Sequence, residues 1–283
     1  MVFRSSTASG ALNWSTWSAG AWSTPVQIAT GVTTRAAPAL AVSGGAHHLV
    51  FHGDDFRHYY ASYVASWSPV AEQIGGAANQ SYGPSPGSVT VLGSDPVLAF
   101  AGNNQDLLDQ TRVGGVWQAA NGHSLGSVVS LTPRIVTSSS GPELMIVFAR
   151  STDGRILYTT RSGGTWSSPV PTDINALTND PPSLAALPSG AAVLAYRGQN
   201  GQAYWSRYTP GAGWSAPAGV ASPNLVTPVP PVILAGVGGT DAELLALDAG
   251  GAVLHLRLSG ATWSSPVTVG GSGLTQLGAA SAP

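Results

Sequence analysis

The stretch from Val147 to Pro169, VFARSTDGRILYTTRSGGTWSSP, contains the features that decide the fold of this chain. Its closing phrase, Trp-Ser-Ser-Pro, recurs with small variations along the whole sequence. The spacings between consecutive copies are 45, 50, 49, 48 and 49 residues, and the copies begin at Trp22, Trp67, Trp117 (degraded to WQAAN), Trp166, Trp214 and Trp263. Six of the nine tryptophans therefore mark one structural position in six copies of a repeat of roughly 48 residues.

Each copy of the repeat has the pattern of four short β-strands. In the fifth copy, Pro182–Leu187 is a small apolar stretch, Ala192–Tyr196 ends in an aromatic residue, and Gln202–Arg207 alternates in character. Gly, Asn and Asp turns separate these segments, and no sustained helical period occurs. Four-stranded units of this length are typical of propeller blades. We therefore predict an all-β fold, a six-bladed β-propeller of four-stranded antiparallel blades.

The predicted propeller is one domain over residues 1–283, and its N-terminal blade is completed from both ends of the chain. Val2-Phe3-Arg4 aligns with Val147-Phe148-Ala149, so the first copy begins at its second strand. We expect Ala279–Pro283 to supply the first strand of that blade and to close the ring, which removes an open sheet edge. The expected blades are 1–30 with 277–283, 36–75, 84–124, 133–173, 182–222 and 231–271.

Charge is sparse, which excludes several classes of function. Only 8% of the residues are charged, with thirteen acidic residues, eleven arginines, no lysine and a net charge of −2. A nucleic-acid surface needs clustered positive charge and a membrane span needs a long apolar run, so we expect neither nucleic-acid binding nor membrane insertion. Without cysteine there is no thiolate metal site. The sequence indicates no cofactor, and no secretory signal is visible at the N-terminus.

Polar and aromatic side chains recur at three positions of the repeat, whereas the repeated tryptophan is interpreted as packing between neighbouring blades. The position after the aromatic end of the second strand holds Arg4, His52, Ala101, Ala149, Arg197 and Asp248, with Arg150 one place later in the fourth copy. A position within the third strand holds Trp14, Tyr59 or Tyr60, Asp109, Tyr158, Trp205 and His255. The end of that strand holds Trp17, Arg112, Arg161, Arg207 and Arg257.

An aromatic residue beside an arginine is the combination that a carbohydrate site needs. The aromatic face packs against the C–H face of a sugar ring, and the arginine donates two hydrogen bonds to neighbouring hydroxyls or to a carboxylate. The predicted sugar-binding residues are Arg4, Trp14, Trp17, Tyr60, Arg150, Tyr158, Arg161, Arg197, Trp205, Arg207, His255 and Arg257.

The stretch 147–169 resembles the blade repeat of bacterial and fungal β-propeller lectins. This resemblance implies six or seven blades with sugar sites in the clefts between them, often for fucose. The fungal fucose-binding type pairs an arginine with a glutamate in each cleft, and the glutamates here are only Glu72, Glu143 and Glu243. We therefore interpret the chain as a non-catalytic lectin whose partners are glycans or glycoconjugates, and this interpretation favours a secreted or cell-surface location.

Three alternatives remain open at this point. One is a propeller that serves as a protein-interaction scaffold, and another is a glycoside hydrolase of the sialidase type, because Ser151–Tyr158 is similar to the sialidase Asp-box. Hydrolysis would need two suitably placed carboxyls, or a tyrosine helped by an acid. The third is a metal site of imidazoles, for which the candidate ligands are His48, His52 and His58.

Overall fold

The computed structural model describes residues 2–4, 10–18, 21–28, 31, 33–75, 86–123, 132–138, 141–187, 190–221, 223–236 and 241–270. Every regular element in these ranges is a β-strand, which confirms the all-β prediction. The ranges contain no helix with the length and apolar character needed to cross a membrane. The described residues belong to two compact units, one ending at residue 123 and the other beginning at residue 132.

Three copies of the repeat make up the first unit. The first sheet has three strands, β1 (Val2–Arg4), β2 (Leu12–Trp14) and β5 (Val26–Gln27), and the same copy forms the pair β3 (Trp17–Ser18) and β4 (Ala21–Trp22). The second sheet consists of β6 (Ala39–Ser43), β7 (Ala46–His52), β8 (His58–Tyr63) and β9 (Glu72–Gln73). The third sheet consists of β10 (Ser88–Leu92), β11 (Asp95–Ala101), β12 (Leu107–Val113), β13 (Val116–Trp117) and β14 (Asn121–His123).

The second unit contains three five-stranded sheets of identical topology. The fourth sheet consists of β15 (Arg134–Thr137), β16 (Leu144–Ala149), β17 (Ile156–Ser162), β18 (Thr165–Trp166) and β19 (Val170–Pro171). The fifth consists of β20 (Ser183–Ala186), β21 (Ala192–Arg197), β22 (Ala203–Thr209), β23 (Gly213–Trp214) and β24 (Ala218–Gly219). The sixth consists of β25 (Val232–Ala235), β26 (Ala242–Leu247), β27 (Val253–Ser259), β28 (Thr262–Trp263) and β29 (Val267–Gly270).

The count of six blades is wrong for the described part of the chain, which contains five complete blades. The second to sixth sheets each begin with a first strand, whereas the first sheet consists of strands equivalent to the second, third and last strands of a blade. The first strand that we expected there falls on Ala279–Pro283, which lies outside the described residues. Closure by the C-terminal strand therefore stays a prediction.

The serine of the repeated phrase explains why the phrase is conserved between copies of the repeat. In the fourth sheet the Ser167 amide donates to the Thr160 carbonyl, and the Ser167 hydroxyl accepts from the Thr160 amide at 3.1 Å. The serine side chain thus replaces one backbone group of the ladder, just before proline interrupts it. The same side-chain bond occurs from Thr16 to Ser23, Ser62 to Ser68, Arg207 to Ser215 and Arg257 to Ser264.

A buried threonine fixes the connection that leads into two of the sheets. The Thr178 hydroxyl donates to the Arg197 carbonyl at 2.8 Å and accepts from the Asp180 amide at 3.0 Å. Thr34 makes the equivalent contacts with the His52 carbonyl and the Ala36 amide. Burial of a hydroxyl is favourable only when such bonds are made, so these threonines tie each connection to the adjacent sheet.

The cores lie between the facing surfaces of consecutive sheets. The large aromatic that ends the second strand is fully buried in four sheets, as Phe51, Phe100, Phe148 and Tyr196. In the first unit, Val50 and Ile74 of the second sheet pack in one cluster with Leu98 and Phe100 of the third. Within each unit one sheet is covered by the next, and side chains that lie near the outer strands border narrow clefts.

Candidate functional site

The strand registers define three equivalent positions in each sheet, and within one unit these positions border the clefts between consecutive sheets. The forward position lies in the third strand and holds Trp14, Tyr60, Asp109, Tyr158, Trp205 and His255. The back position lies opposite the repeated tryptophan and holds Trp17, Tyr63, Arg112, Arg161, Tyr208 and Leu258. The rim position lies opposite the forward residue on the last strand and holds Val26, Glu72, Asn121, Val170, Ala218 and Val267.

The forward residue of one sheet meets the repeated tryptophan of the next sheet almost edge to face. Trp14 and Trp67 have ring centroids 5.6 Å apart at 90°, and Trp205 and Trp263 have centroids 5.8 Å apart at 89°. The pairs Tyr60–Trp117 and Tyr158–Trp214 repeat this geometry at 5.5 and 5.8 Å. The regular tryptophan and the variable aromatic therefore form one contact across each of these four clefts, which favourable edge-to-face packing stabilises.

The cleft between the second and third sheets, called cleft 2–3, is the one with an arginine at its back position and a glutamate at its rim. Arg112 Nη2 and Nε lie 3.0 and 3.2 Å from Glu72 Oε2. The Arg112 guanidinium also lies over the Tyr60 ring, 4.9 Å from its centre. The ion pair is partly exposed, with 24% of the Arg112 side chain and 41% of the Glu72 side chain accessible. Cleft 2–3 thus presents donors and an acceptor to solvent on an aromatic support.

Two buried groups hold that aromatic support in place. The Tyr60 hydroxyl lies 2.8 Å from His48 Nδ1, and both side chains are buried. Burial raises the pKa of Tyr60, so its hydroxyl stays protonated. Burial, together with the positive charge of Arg112, lowers the pKa of His48. A neutral imidazole therefore faces the tyrosine hydroxyl, and the pair fixes the ring beneath Arg112.

Two further clefts contain an aromatic ring at each of the forward, back and tryptophan positions. They are cleft 1–2, between the first and second sheets, and cleft 4–5, between the fourth and fifth sheets. In cleft 1–2 the rings are Trp14, Tyr63 and Trp67, and His47 adds a fourth ring 5.4 Å from Tyr63. In cleft 4–5 the rings are Tyr158, Tyr208 and Trp214.

The cleft between the fifth and sixth sheets, cleft 5–6, is closed by an aliphatic side chain. Its back position is Leu258, which is fully buried, and its forward residue Trp205 is 7% exposed.

Four of the repeated tryptophans share one further feature. The Nε1 atoms are buried and have no hydrogen-bond partner within the described residues at Trp67, Trp117, Trp214 and Trp263.

Of the predicted sugar-binding residues, Trp14, Tyr60, Tyr158 and Trp205 lie in these clefts. Arg4 and Arg197 lie elsewhere, because their Nε atoms each donate at 2.7 Å to a carbonyl of a connection, that of Thr34 and that of Thr227. Arg150 pairs with Asp153 in the turn between β16 and β17. The Trp17 side chain lies outside the described residues.

The arginines predicted at the end of the third strand occupy two positions rather than one. Arg112 and Arg161 hold the back position, whereas Arg207 and Arg257 precede it by one residue. Neighbouring strand residues point to opposite faces, so the two groups face different sheets. The prediction that Asp248 is equivalent to Arg197 is wrong for the same reason. The register places Leu247, and not Asp248, at the position of the sixth sheet that corresponds to Arg197 in the fifth.

The displaced arginines make structural ion pairs. Arg207 Nη1 lies 3.0 Å from Asp241, whose carboxylate also accepts from the Gly260 amide at 2.9 Å. Glu143 has the equivalent role in the fourth sheet, where it accepts from the Gly163 amide and lies 3.8 Å from Arg161. These carboxylates therefore cap the turn that follows the third strand.

The predicted metal ligands His48, His52 and His58 do not form a cluster of metal-binding side chains, and neither does His255. His255 Nε2 lies 3.0 Å from Glu243 Oε2, and Arg257 lies 3.9 Å from the same carboxylate. The rings of His52 and His58 lie 5.4 Å apart, while His48 contacts Tyr60. No group of three or more His, Cys, Asp or Glu side chains within the described ranges is arranged to hold a metal ion.

The predicted sugar-binding residues omitted both members of the Arg112–Glu72 pair of cleft 2–3, and they also omitted three residues that border the aromatic clefts. Tyr63, Tyr208 and His47 were not among the predicted residues, although their rings contact the forward aromatic of the preceding sheet. The signal for Tyr63 and Tyr208 was present in the repeat, because the back position precedes the tryptophan by four to six residues, whereas His47 lies opposite Tyr63 in the ladder.

Comparison with solved structures identifies the fold as a β-propeller. The chain is similar to the BP39L lectin from Burkholderia pseudomallei, with a TM-score of 0.73 and 17% identity, covering 93% of this chain and 78% of that chain. It is similar to a fungal lectin from Aleuria aurantia, described as a six-bladed β-propeller with a novel fucose recognition mode, with a TM-score of 0.67 and 13% identity over 96% and 91% of the two chains.

A third similar structure is AofleA from Arthrobotrys oligospora, with a TM-score of 0.63 and 13% identity over 93% and 81% of the two chains. No protein-family model matches the sequence, and no curated protein matches it. The likeness therefore confirms the predicted fold class and the resemblance to propeller lectins at the level of the fold.

Proposed function

We propose that this chain is a carbohydrate-binding protein without catalytic activity, and that its sugar sites are the clefts between consecutive sheets of each unit. The observation that carries the proposal is the Arg112–Glu72 pair of cleft 2–3, supported on the Tyr60 ring. Adjacent sugar hydroxyls need a donor and an acceptor a few ångströms apart, and the guanidinium and carboxylate supply both.

Little free energy is needed to separate Arg112 from Glu72 so that a sugar can bind between them. Partly exposed ion pairs contribute only about 0–1 kcal/mol to stability. A sugar hydroxyl that inserts between Arg112 and Glu72 therefore replaces a weak contact with two charge-assisted hydrogen bonds. The Tyr60–His48 contact keeps the guanidinium oriented while this exchange takes place.

The similar lectins support the same class of ligand. The Aleuria aurantia lectin has been solved with α-methyl-L-fucoside, and the SapL1 lectin with α-methyl fucoside. Paired carboxyls for glycoside hydrolysis lie about 5–10 Å apart. Cleft 2–3 instead pairs a carboxylate with an arginine, which favours binding over hydrolysis.

A glycan array followed by calorimetric titration tests the proposal. We expect binding to at least one class of glycan, no turnover of chromogenic glycosides, and a loss of about tenfold or more in affinity at cleft 2–3 in Arg112→Gln, because a charge-assisted hydrogen bond is removed. The matched control is Arg35→Gln. Arg35 also pairs with a carboxylate at 3.0 Å and lies 4.9 Å from an aromatic ring, but outside the clefts. An array without any bound glycan would refute the proposal.

A further inference from the structure

Clefts 1–2 and 4–5 have the same arrangement of rings although they lie in different units. The back residue and the repeated tryptophan lie 5.5 Å apart at 55° in Tyr63–Trp67 and 5.5 Å apart at 56° in Tyr208–Trp214. The forward residue meets that tryptophan at 5.6 Å in one cleft and 5.8 Å in the other. The contacts of the repeated tryptophan with its two partner rings are therefore closely similar in both clefts, while the forward and back rings lie 4.6 Å apart in cleft 1–2 and 6.0 Å apart in cleft 4–5.

These are the two described clefts in which all three side chains reach solvent. Trp14, Tyr63 and Trp67 are each partly exposed, and so are Tyr158, Tyr208 and Trp214. In cleft 2–3 the aromatic pair is buried, with Tyr60 at 4% and Trp117 at 8% exposure. In cleft 5–6 the forward and back residues are buried. Among the clefts described, a ligand can therefore touch aromatic surface at all three positions only in clefts 1–2 and 4–5.

The chemistry of these two clefts differs from that of cleft 2–3. The forward, back, rim and tryptophan positions hold no charged residue, and the rim residues are exposed valines, Val26 at 58% and Val170 at 45%. Charged ligands would thus meet no partner at these positions. The Nε1 atoms of Trp67 and Trp214 are buried and have no partner among the described residues, as in Trp117 and Trp263, so a ligand in these clefts contacts the exposed parts of the rings and not the indole donors.

We propose that clefts 1–2 and 4–5 are a second kind of site in the same chain, and that they bind an uncharged pyranose through its apolar C–H face. The inference rests on the proposed function, since it assigns a ligand class to further clefts of the same protein. Stacking on partly exposed aromatic rings supplies the affinity here, and the Arg–Glu pair supplies it in cleft 2–3.

Indole resonances report on each cleft separately. The chain has nine tryptophans, so ¹⁵N-labelled protein gives one Nε1–H signal for each, assigned by Trp→Phe substitution. The probes are methyl α-L-fucoside, methyl β-D-galactoside and N-acetyl-D-glucosamine. We expect at least one of them to shift the signals of Trp67 and Trp214 and to leave the signal of Trp263 in cleft 5–6 unchanged.

Substitutions at the back position provide the decisive comparison. Tyr63→Leu should weaken binding about fivefold or more at Trp67 while leaving Trp214 unaffected, and Tyr208→Leu should do the reverse. Leucine is accommodated at this position, as Leu258 shows in the sixth sheet. Tyr63→Phe and Tyr208→Phe keep the ring and should retain binding.

The outcomes separate this inference from the proposed function. If glycans bind in an Arg112-dependent manner and no probe moves Trp67 or Trp214 at about 50 mM, where even millimolar sites fill, the second kind of site is refuted and the lectin function stands. Shifts that persist unchanged in both leucine variants would also refute it. If Trp67 and Trp214 shift while the array shows no Arg112-dependent binding, the aromatic sites stand and the assignment of cleft 2–3 fails.

Discussion

At the scale of single residues, the stability of the folded repeat depends on buried threonine hydroxyls and buried imidazoles. Thr34, Thr178 and Thr227 are at most 1% exposed, and each bonds within the connection that it occupies. Their contribution to stability follows from burial, because the folded state is destabilised when a buried polar group loses its hydrogen-bond partner.

Thr178→Val should therefore destabilise the protein by about 1–2 kcal/mol, because the Asp180 amide and the Arg197 carbonyl lose a buried partner while the shape is kept. Urea unfolding measures the change. Thr209→Val, at an exposed position, is the control and should have almost no effect.

The buried histidines make stability depend on pH in a defined direction. Burial lowers the pKa of His48 and of His52 from the ordinary value of 6.5. Above that value both the folded and unfolded states hold neutral imidazoles. Below it the unfolded chain binds protons that the folded state resists, so stability falls as the pH drops from 6.5 towards the lowered folded pKa values.

Urea midpoints between about pH 7.5 and about pH 5.5 should show this loss, the range over which histidine titrates. His48→Gln removes one titrating group and should flatten the curve. A midpoint that stays constant on acidification would contradict the assignment of lowered pKa values.

At the scale of the elements, the contact between a forward aromatic and the next tryptophan joins one sheet to its neighbour. Trp117 is 8% exposed and packs on Tyr60 within a cluster that also contains Leu98 and Phe100. Interiors are close-packed, so a large side chain at such a contact cannot be removed without a cavity.

Trp117→Ala should cost about 3–5 kcal/mol in the free energy of unfolding, the range for large aromatic truncations in a core. Val116→Ala, one residue away and 63% exposed, should change stability by less than about 0.5 kcal/mol. Equal losses in the two variants would show that the contact does not support the packing of the third sheet.

The sequence predicted the strands better than it predicted the neighbours of each side chain. The tryptophan phrase was sufficient to locate five complete blades, because the alternating residues of each strand and the turn residues between strands all lie within one copy of the repeat. Arg207 was grouped with Arg112 because a shift of one residue is invisible in a list of strand ends, although it reverses the face. The contact of Tyr63 with Trp14 joins two copies and follows only from how the sheets pack.

At the scale of the whole molecule, the proposed function places several weak sites on one chain. Individually weak sites gain apparent affinity when they engage one surface, because the second contact is intramolecular. The β-propeller fold suits this arrangement, since a repeat supplies the same positions several times.

Dissociation from a densely glycosylated surface should therefore be at least about tenfold slower than dissociation of the same glycan in solution. Surface plasmon resonance at high and low glycan density measures the ratio. The triple variant Arg112→Gln, Tyr63→Leu and Tyr208→Leu should lose this density dependence. A ratio that remains in the triple variant would place multivalent binding outside the three clefts.

The back and rim positions also suggest how such a molecule changes over time. Tyr208 and Val170 occupy the ladder positions that Arg112 and Glu72 occupy in their own sheets. Two codon changes, one in each of two adjacent copies of the repeat, would thus replace an aromatic platform by an ionic one, without moving a strand. Under the proposed function, the ligands bound can diversify cleft by cleft, while the repeated tryptophans keep the scaffold constant.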